Sequence, residues 1–152
     1  MSATVAVGSN PVGVAVKPDG SKVYVANKGN GTVSVIDATN TVVATIDVGL
    51  APFGIAVTPD GSKVYVTKLN NTVSVIATAT NAVSATISVG NGPFGVAVTP
   101  DGSKAYVANE FDNTVSVIVT ASNTVVATIH VGASPIAFGI FILPRFARTL
   151  FR

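Results

Sequence analysis

Short apolar runs alternate with clusters of turn-forming residues along most of the chain. The first runs are VGVAV (12–16), KVYVAN (22–27), TVSVID (32–37) and VVATIDV (42–48), and the clusters PDGS, KGNG, ATNT and GLAP follow them in order. Runs rich in Val, Ile and Thr, bounded by Gly, Pro, Asn and Asp, are typical of strands joined by hairpins. The pattern therefore predicts four short antiparallel strands.

The same four-run pattern occurs three times. Pro11, Pro52, Pro93 and Pro135 mark it at separations of 41, 41 and 42 residues. Four strands in about 40 residues is the period of a β-propeller blade. The runs do not alternate cleanly between apolar and polar residues, as expected when both faces of a sheet are covered.

We expect an all-β fold of three four-stranded antiparallel blades of about 41 residues, arranged as an open arc or as part of an oligomeric ring. TVAV before the first blade resembles a fourth strand, and PIAFGIFI after the third resembles a first strand, which predicts one extra strand at each end. The expected ranges are blades 12–48, 53–89 and 94–131, end strands 3–7 and 135–142, a repeat region 1–142, and a basic tail 143–152.

The longer strings of the repeat are distinctive. PDGSKVYVAN followed by GTVSVIDATNTVVATIDVG closely resembles the YVTN-type β-propeller repeat of bacterial and archaeal surface-layer-like proteins, over residues 3 to about 142. The motif itself reads Tyr65-Val66-Thr67 with Lys68 in its fourth place. The resemblance implies a structural or protein-interaction role at the cell surface or in the periplasm. No signal-peptide pattern at the start of this sequence supports that location independently.

PDGSK occurs in every repeat, at 18–22, 59–63 and 100–104. Its three carboxylates could form an acid cluster or a cation site. However, Pro presets φ for a turn, and Gly accepts the positive φ that closes it. We expect equivalent residues on three blades to lie far apart, so we interpret the motif as scaffolding. The turn residues are Asp19, Gly20, Asp60, Gly61, Asp101 and Gly102.

Composition supports the β prediction. Val occurs 28 times and Thr 17 times, whereas Glu occurs once and Gln is absent. Hydrophobic residues make up 48% of the chain and charged residues 11%, which argues against disorder. The absence of Cys excludes disulfides and thiolate metal sites.

Charge and hydropathy narrow the range of partners. The formal charge is +2, and the tail holds three of the nine basic residues, Arg145, Arg148 and Arg152. The body is therefore close to neutral, which argues against nucleic acid as a partner. The longest apolar run, 136–143, is far shorter than the ~20 residues of a membrane-spanning helix, so we expect no transmembrane segment. As a helix, the tail would suit a membrane surface or an acidic partner; the alternative is a frayed extension.

The repeats differ most in their loops. The loop between the second and third strands reads KGNG, KLNN and NEFDN in turn, and the loop before each first strand also varies. By resemblance to other propellers, we expect both loop classes to lie on the same face, where ligands and partners usually bind. The candidate interaction face therefore comprises Lys28, Leu50, Lys68, Leu69, Glu110, Phe111 and Asp112. The alternative is ordinary variation between loops.

Catalytic chemistry finds little support. His130 is the only histidine, and one histidine alone makes neither a metal site nor a catalytic triad. Glu110 and Asp112 could act as a carboxylate pair or a weak Ca²⁺ site, but a two-residue acidic loop is usually just solvated. NKGNGT joins two strands, unlike a phosphate loop, which opens a helix. We expect no enzyme, no catalytic or metal-binding residues and no cofactor.

Three blades do not close a ring, because propellers typically have four to eight. Either the chain is a fragment, or it self-associates, for example as a homodimer that forms a six-bladed ring. The leading hypothesis is a non-catalytic module that binds itself or an unknown protein partner. Two alternatives remain: a propeller that binds nucleic acid or another polyanion, and a lactonase-like or quinoprotein-like enzyme.

Overall fold

The computed structural model describes residues 4–136. Twelve strands form in this part of the chain, each from one of the apolar runs rich in Val, Ile and Thr. In order they are β1 Pro11–Val16, β2 Lys22–Asn27, β3 Thr32–Asp37, β4 Val42–Asp47, β5 Pro52–Val57, β6 Lys63–Lys68, β7 Thr72–Ala77, β8 Ala82–Ser88, β9 Pro93–Val98, β10 Lys104–Asn109, β11 Thr114–Val119 and β12 Thr124–His130.

The strands form three four-stranded antiparallel sheets, each a meander in sequence order. We call them blade 1 (β1–β4), blade 2 (β5–β8) and blade 3 (β9–β12). Short loops join neighbouring antiparallel strands directly, which is why no crossover is needed. The prediction of an all-β fold built from three propeller blades is confirmed, and within residues 4–136 the blades form an open arc.

The first strands of successive blades approach one another closely. β1 lies beside β5, and β5 beside β9. A Cβ atom on Gly13 would lie 2.4 Å from the Phe53 carbonyl oxygen, and one on Gly54 would lie 2.2 Å from the Phe94 carbonyl oxygen. Only glycine permits this approach of backbone to backbone, so these two positions set the distance between blades.

Two apolar cores lie between the blades. We call the contact of blades 1 and 2 the first junction, and that of blades 2 and 3 the second junction. The first buries Tyr24, Val33, Val35, Ile46, Val48, Val64, Val66 and Ile76. The second buries Tyr65, Val73, Val75, Ile87, Val96, Ala105, Val107 and Ile118. Blade 2 is therefore covered on both faces, which explains its nearly continuous apolar runs.

The turns between third and fourth strands share a left-handed residue. Asn40, Asn81 and Asn123 have φ of 63°, 52° and 53°. Asparagine tolerates this conformation better than most residues because its short side chain hydrogen-bonds locally. The three turns are therefore comparable in backbone, although Asn40 stands three residues after the end of β3, whereas Asn81 and Asn123 stand four residues after the ends of β7 and β11.

The prediction of one extra strand at each end of the repeat region is not met at the first end. Residues 4–7 form no strand, because a strand needs a hydrogen-bonded partner and no strand in residues 4–136 pairs with this segment. Of the second end strand, 135–142, only Pro135 and Ile136 belong to the described residues. The rest of that segment and the tail 143–152 lie outside them.

Candidate interaction surfaces

The PDGS turns are closed by their own aspartates. Asp60 Oδ1 accepts hydrogen bonds from Thr58 Oγ1 at 2.6 Å and from Ser62 N at 3.0 Å. Hydrogen bonds to the charged form lower the pKa of Asp60 to about 2. Thr99 and Ser103 act in the same way on Asp101 and lower its pKa to about 2.

The turn carboxylates are not all far apart. Asp60 and Asp101 both line a cavity of about 220 Å³ between blades 2 and 3, which corrects the expectation that equivalent turns are isolated. Lys63 also lines this cavity, and its ammonium donates to the Thr120 carbonyl oxygen at 2.6 Å. The cavity therefore holds one compensating positive charge beside its two carboxylates.

The candidate loop face is only partly exposed. Leu50 is 73% exposed and Phe111 70%. Lys68 is only 6% exposed, so its assignment to this face is corrected: it offers almost no surface to a partner. Burial lowers the pKa of the Lys68 ammonium, since desolvation disfavours the charged form.

Lys28 lies over an aromatic ring, with its ammonium 5.3 Å from the centroid of Phe53. Phe53 packs edge-on against Phe94, with centroids 4.5 Å apart. Both geometries fall in the favourable range for cation–π and aromatic pairs. Leu69 and Glu110 are half-buried, and their backbone N–H groups donate to the carbonyl oxygens of Ala51 and Gly92.

Asp112 organises the loops above the second junction. It accepts hydrogen bonds from Asn91 N at 2.7 Å and from Asn91 Nδ2 at 2.8 Å, and these bonds lower the pKa of its carboxyl group. Asn91 Oδ1 accepts in turn from Asn71 Nδ2 at 2.7 Å. The Asn91 side chain therefore links Asp112, in the β10–β11 loop of blade 3, to Asn71, in the β6–β7 loop of blade 2.

His130 and Asp112 both line one cavity. The cavity has a volume of about 560 Å³ and opens between blades 2 and 3. Its other polar lining residues are Ser88, Thr114, Ser116 and Thr128. Hydroxyls, an imidazole and a carboxylate can hydrogen-bond a small polar molecule. The charge pattern of the loops gave no sign of this cavity.

The two ends of the arc expose apolar positions that are buried inside it. Val14 is 66% exposed, whereas Val96, its equivalent on blade 3, is 6% exposed. Ile129 is 46% exposed, whereas Ile46 and Ile87 at the same place on blades 1 and 2 are each 6% exposed. Both ends therefore present the kind of surface that two blades bury between them.

Residues 4–136 are close to neutral in charge. They carry six lysines against seven carboxylates, so this part has no excess positive charge. They contain no group of three or more His, Asp or Glu residues placed to hold a metal ion. No helix among them has the length and apolar character to cross a bilayer.

Sequence comparison identifies the family of this propeller. The family model described as lactonase, seven-bladed β-propeller, matches residues 1–133. The chain belongs to the seven-bladed β-propeller lactonase family. No curated protein matches this lactonase-family chain.

Solved structures resemble the same blades. Hydrazine synthase from Kuenenia stuttgartiensis is 30% identical with a TM-score of 0.81, and the match covers 88% of this chain and 40% of that one. The WD40 repeats of RRP9 and the protein U3-55K are each 16% identical with a TM-score of 0.76, covering 82% of this chain and 40% of theirs. These last two show the fold alone. The lactonase-family chain spans about two fifths of the length of the structures it matches.

Proposed function

We propose that this chain is a non-catalytic propeller module that associates with a second copy of itself through the exposed faces of its terminal blades. The observation that carries the proposal is the difference between equivalent positions, 66% exposure for Val14 against 6% for Val96. Burying apolar surface stabilises by about 25 cal/mol for each Å² removed from water. Within residues 4–136, the surface that two blades bury inside the arc is thus left exposed at its two ends.

The resemblance to the YVTN-type repeat supports the same role. Surface-layer-like proteins of that type imply a structural or interaction function at the cell surface or in the periplasm. The repeat strings, including PDGSKVYVAN, carry this part of the proposal. Exposed apolar patches of this kind mark protein interfaces in soluble proteins.

The proposal is tested by the solution mass of the chain over a range of concentrations, using light scattering after size exclusion. We expect a mass of twice that of the chain or more, falling on dilution. Val14→Asp should abolish association by placing a charge in the apolar contact. Leu50→Asp is the matched control, because Leu50 is as exposed but lies on the loop face. A single-chain mass at every concentration would overturn the proposal.

A lactonase activity is the second candidate, because the family match favours it. The cavity lined by Asp112 and His130 offers the titratable groups that such chemistry needs. Purified chain is assayed with lactone substrates, with and without added divalent cations. We expect no turnover above buffer. Turnover that Asp112→Asn or His130→Ala removes would replace the non-catalytic proposal with an enzymatic one.

A further inference from the structure

At each of the two junctions, the lysine that begins the second strand of one blade donates hydrogen bonds to the next blade. Lys22 Nζ, at the start of β2 in blade 1, donates to Thr78 O and Asn81 Oδ1 of blade 2, both at 3.2 Å. Thr78 and Asn81 lie in the turn that follows the third strand of blade 2. We call this arrangement the lysine clamp. In it, the lysine that begins the second strand of one blade donates hydrogen bonds to the turn between the third and fourth strands of the next blade.

The second junction repeats the clamp. Lys63 Nζ of blade 2 donates to Thr120 O at 2.6 Å and to Asn123 Oδ1 at 3.3 Å in blade 3. Tyr65 adds a hydroxyl hydrogen bond to the same Asn123 Oδ1 at 3.0 Å. The same donor position therefore meets the same acceptor turn at both junctions within residues 4–136.

Blade 3 presents the third donor without an acceptor. Lys104 occupies the position of Lys22 and Lys63, at the start of β10. It is exposed, and its ammonium has no partner among residues 4–136. Tyr106, the equivalent of Tyr65, is half-buried instead of fully buried. The donor side of a further clamp is thus already in place.

Blade 1 presents a third acceptor turn, and no lysine among residues 4–136 donates to it. Asn40 stands where Asn81 and Asn123 stand, with the same left-handed backbone, and it is exposed. This turn also carries Asp37, whose Oδ1 accepts from Thr39 N at 2.9 Å and Thr41 N at 3.0 Å. Its other oxygen, Oδ2, has no partner within residues 4–136. The acceptor turn on this end is therefore anionic, whereas the donor is cationic.

We propose that two copies associate head to tail, with Lys104 of one copy docked on the Asp37–Asn40 turn of a second copy. The inference rests on the self-association proposed above and names its contact. Opposite charges at the two ends favour this pairing over end-to-end contacts of like blades, because like charges repel. The contact is heterologous, so two copies close into a ring if the rotation allows, and otherwise they extend as an open chain.

The test measures the dissociation constant of the full 152-residue chain by sedimentation equilibrium, in wild type, Lys104→Glu, Asp37→Lys and the double charge swap. We expect each single variant to weaken association about tenfold, since it places like charges opposite each other. The double variant restores an ion pair at every contact and should recover most of the affinity. Lys28→Glu is the matched control, with the same change of charge on the loop face.

The outcomes separate the clamp from the self-association beneath it. If wild type associates and Lys104→Glu behaves like Lys28→Glu, the clamp is wrong and self-association stands. If both single variants are weakened and the double variant is not rescued, the pairing of Lys104 with Asp37 is wrong. If wild type stays a single chain, both proposals fail. Thermal melting followed by circular dichroism shows whether each variant is folded.

Discussion

The two junctions use the same backbone geometry but different polar side chains. Both bring glycine against a carbonyl oxygen, both bury a core rich in valine, and both carry a lysine clamp. The second junction adds Thr67, whose hydroxyl donates to Phe94 O and accepts from Gly54 N, each at 2.7 Å. The first junction has Ala26 at the equivalent position and lacks both hydrogen bonds.

The two junctions also differ in the polar side chains at both edges of the contact between blades. Tyr65 hydroxyl reaches Asn123 across the second junction, whereas Tyr24 hydroxyl is buried without a partner among the described residues. Above the second junction Asn91 links two loops, whereas the equivalent loop of the first junction exposes Leu50. Blades 2 and 3 are therefore joined by more hydrogen bonds than blades 1 and 2. The shared apolar and glycine positions fix the stacking, which leaves the polar positions free to differ.

We expect the largest effect on the free energy of unfolding at the glycine position that the two junctions share. Gly54→Val would force a side chain against the Phe94 carbonyl oxygen, so we expect a loss of about 3 kcal/mol in the free energy of unfolding. Gly13→Val, at the same place in the first junction, should cost a similar amount. Urea denaturation measures both. A mild effect of either substitution would contradict the view that glycine sets the distance between blades.

We expect a smaller effect on the free energy of unfolding at the position where the junctions differ, which is Thr67 in the second and Ala26 in the first. Thr67→Ala leaves the buried N–H of Gly54 without its acceptor and should cost about 2 kcal/mol. Ala26→Thr supplies the missing hydroxyl at the first junction and should gain about 1 kcal/mol. Hydrogen exchange should show blade 1 opening more often than blade 3 in wild type, and less so in Ala26→Thr. Ala108 occupies the position of Thr67 on blade 3, so Ala108→Gly is the control. If both substitutions lower the free energy of unfolding equally, a specific hydrogen bond from Thr67 is excluded.

Lys68 provides a test that depends on pH. Its folded pKa lies below the ordinary value of 10.5, so the unfolded chain binds more protons between the two values. The free energy of unfolding should therefore rise with pH through that window. Lys68→Met should remove the rise and gain about 1 kcal/mol at pH 7, because it replaces a buried charge. Lys28→Met is the control, and a rise that persists in Lys68→Met would exclude this lysine as its source.

The smallest effect is expected in the PDGS turns, where on every blade the aspartate accepts a hydrogen bond from the backbone N–H of the serine two residues later. Asp60 has a folded pKa of about 2 against an ordinary value of 3.8. Its stabilisation is therefore complete above about pH 4 and is lost as the pH falls towards 2. Asp60→Asn should flatten that part of the acid denaturation curve and cost less than about 1 kcal/mol at pH 7. An unchanged acid curve would mean that the turn does not depend on this carboxylate.

The fold could be predicted from the sequence because its determinants are local and repeated. Apolar runs, turn residues and the 41-residue spacing define strands without knowledge of long-range contacts. Burial of Lys68 could not be predicted in this way, because it stands at the end of a strand beside a variable loop. The loops alone do not show whether a side chain turns into the space between blades.

The lysine clamp leaves a pattern in the sequence, but the role of that pattern is seen only in the structure. Lys22, Lys63 and Lys104 recur at the spacing of the repeat, directly after the PDGS turn. A hairpin accounts for Pro, Asp and Gly in that motif but not for the lysine. The acceptor lies more than 50 residues away, so only the stacking of blades brings the two together.

The lysine clamp also has a genetic consequence. Removing the 41 codons for residues 52–92 would join blade 1 directly to blade 3, with Lys22 opposite Thr120 and Asn123 in place of Thr78 and Asn81. Duplicating the same codons would add one blade with a matching donor and acceptor. In-frame recombination between repeats therefore changes the number of blades while every surviving interface keeps its lysine, and lineages can lengthen or shorten such genes without first inventing a new contact.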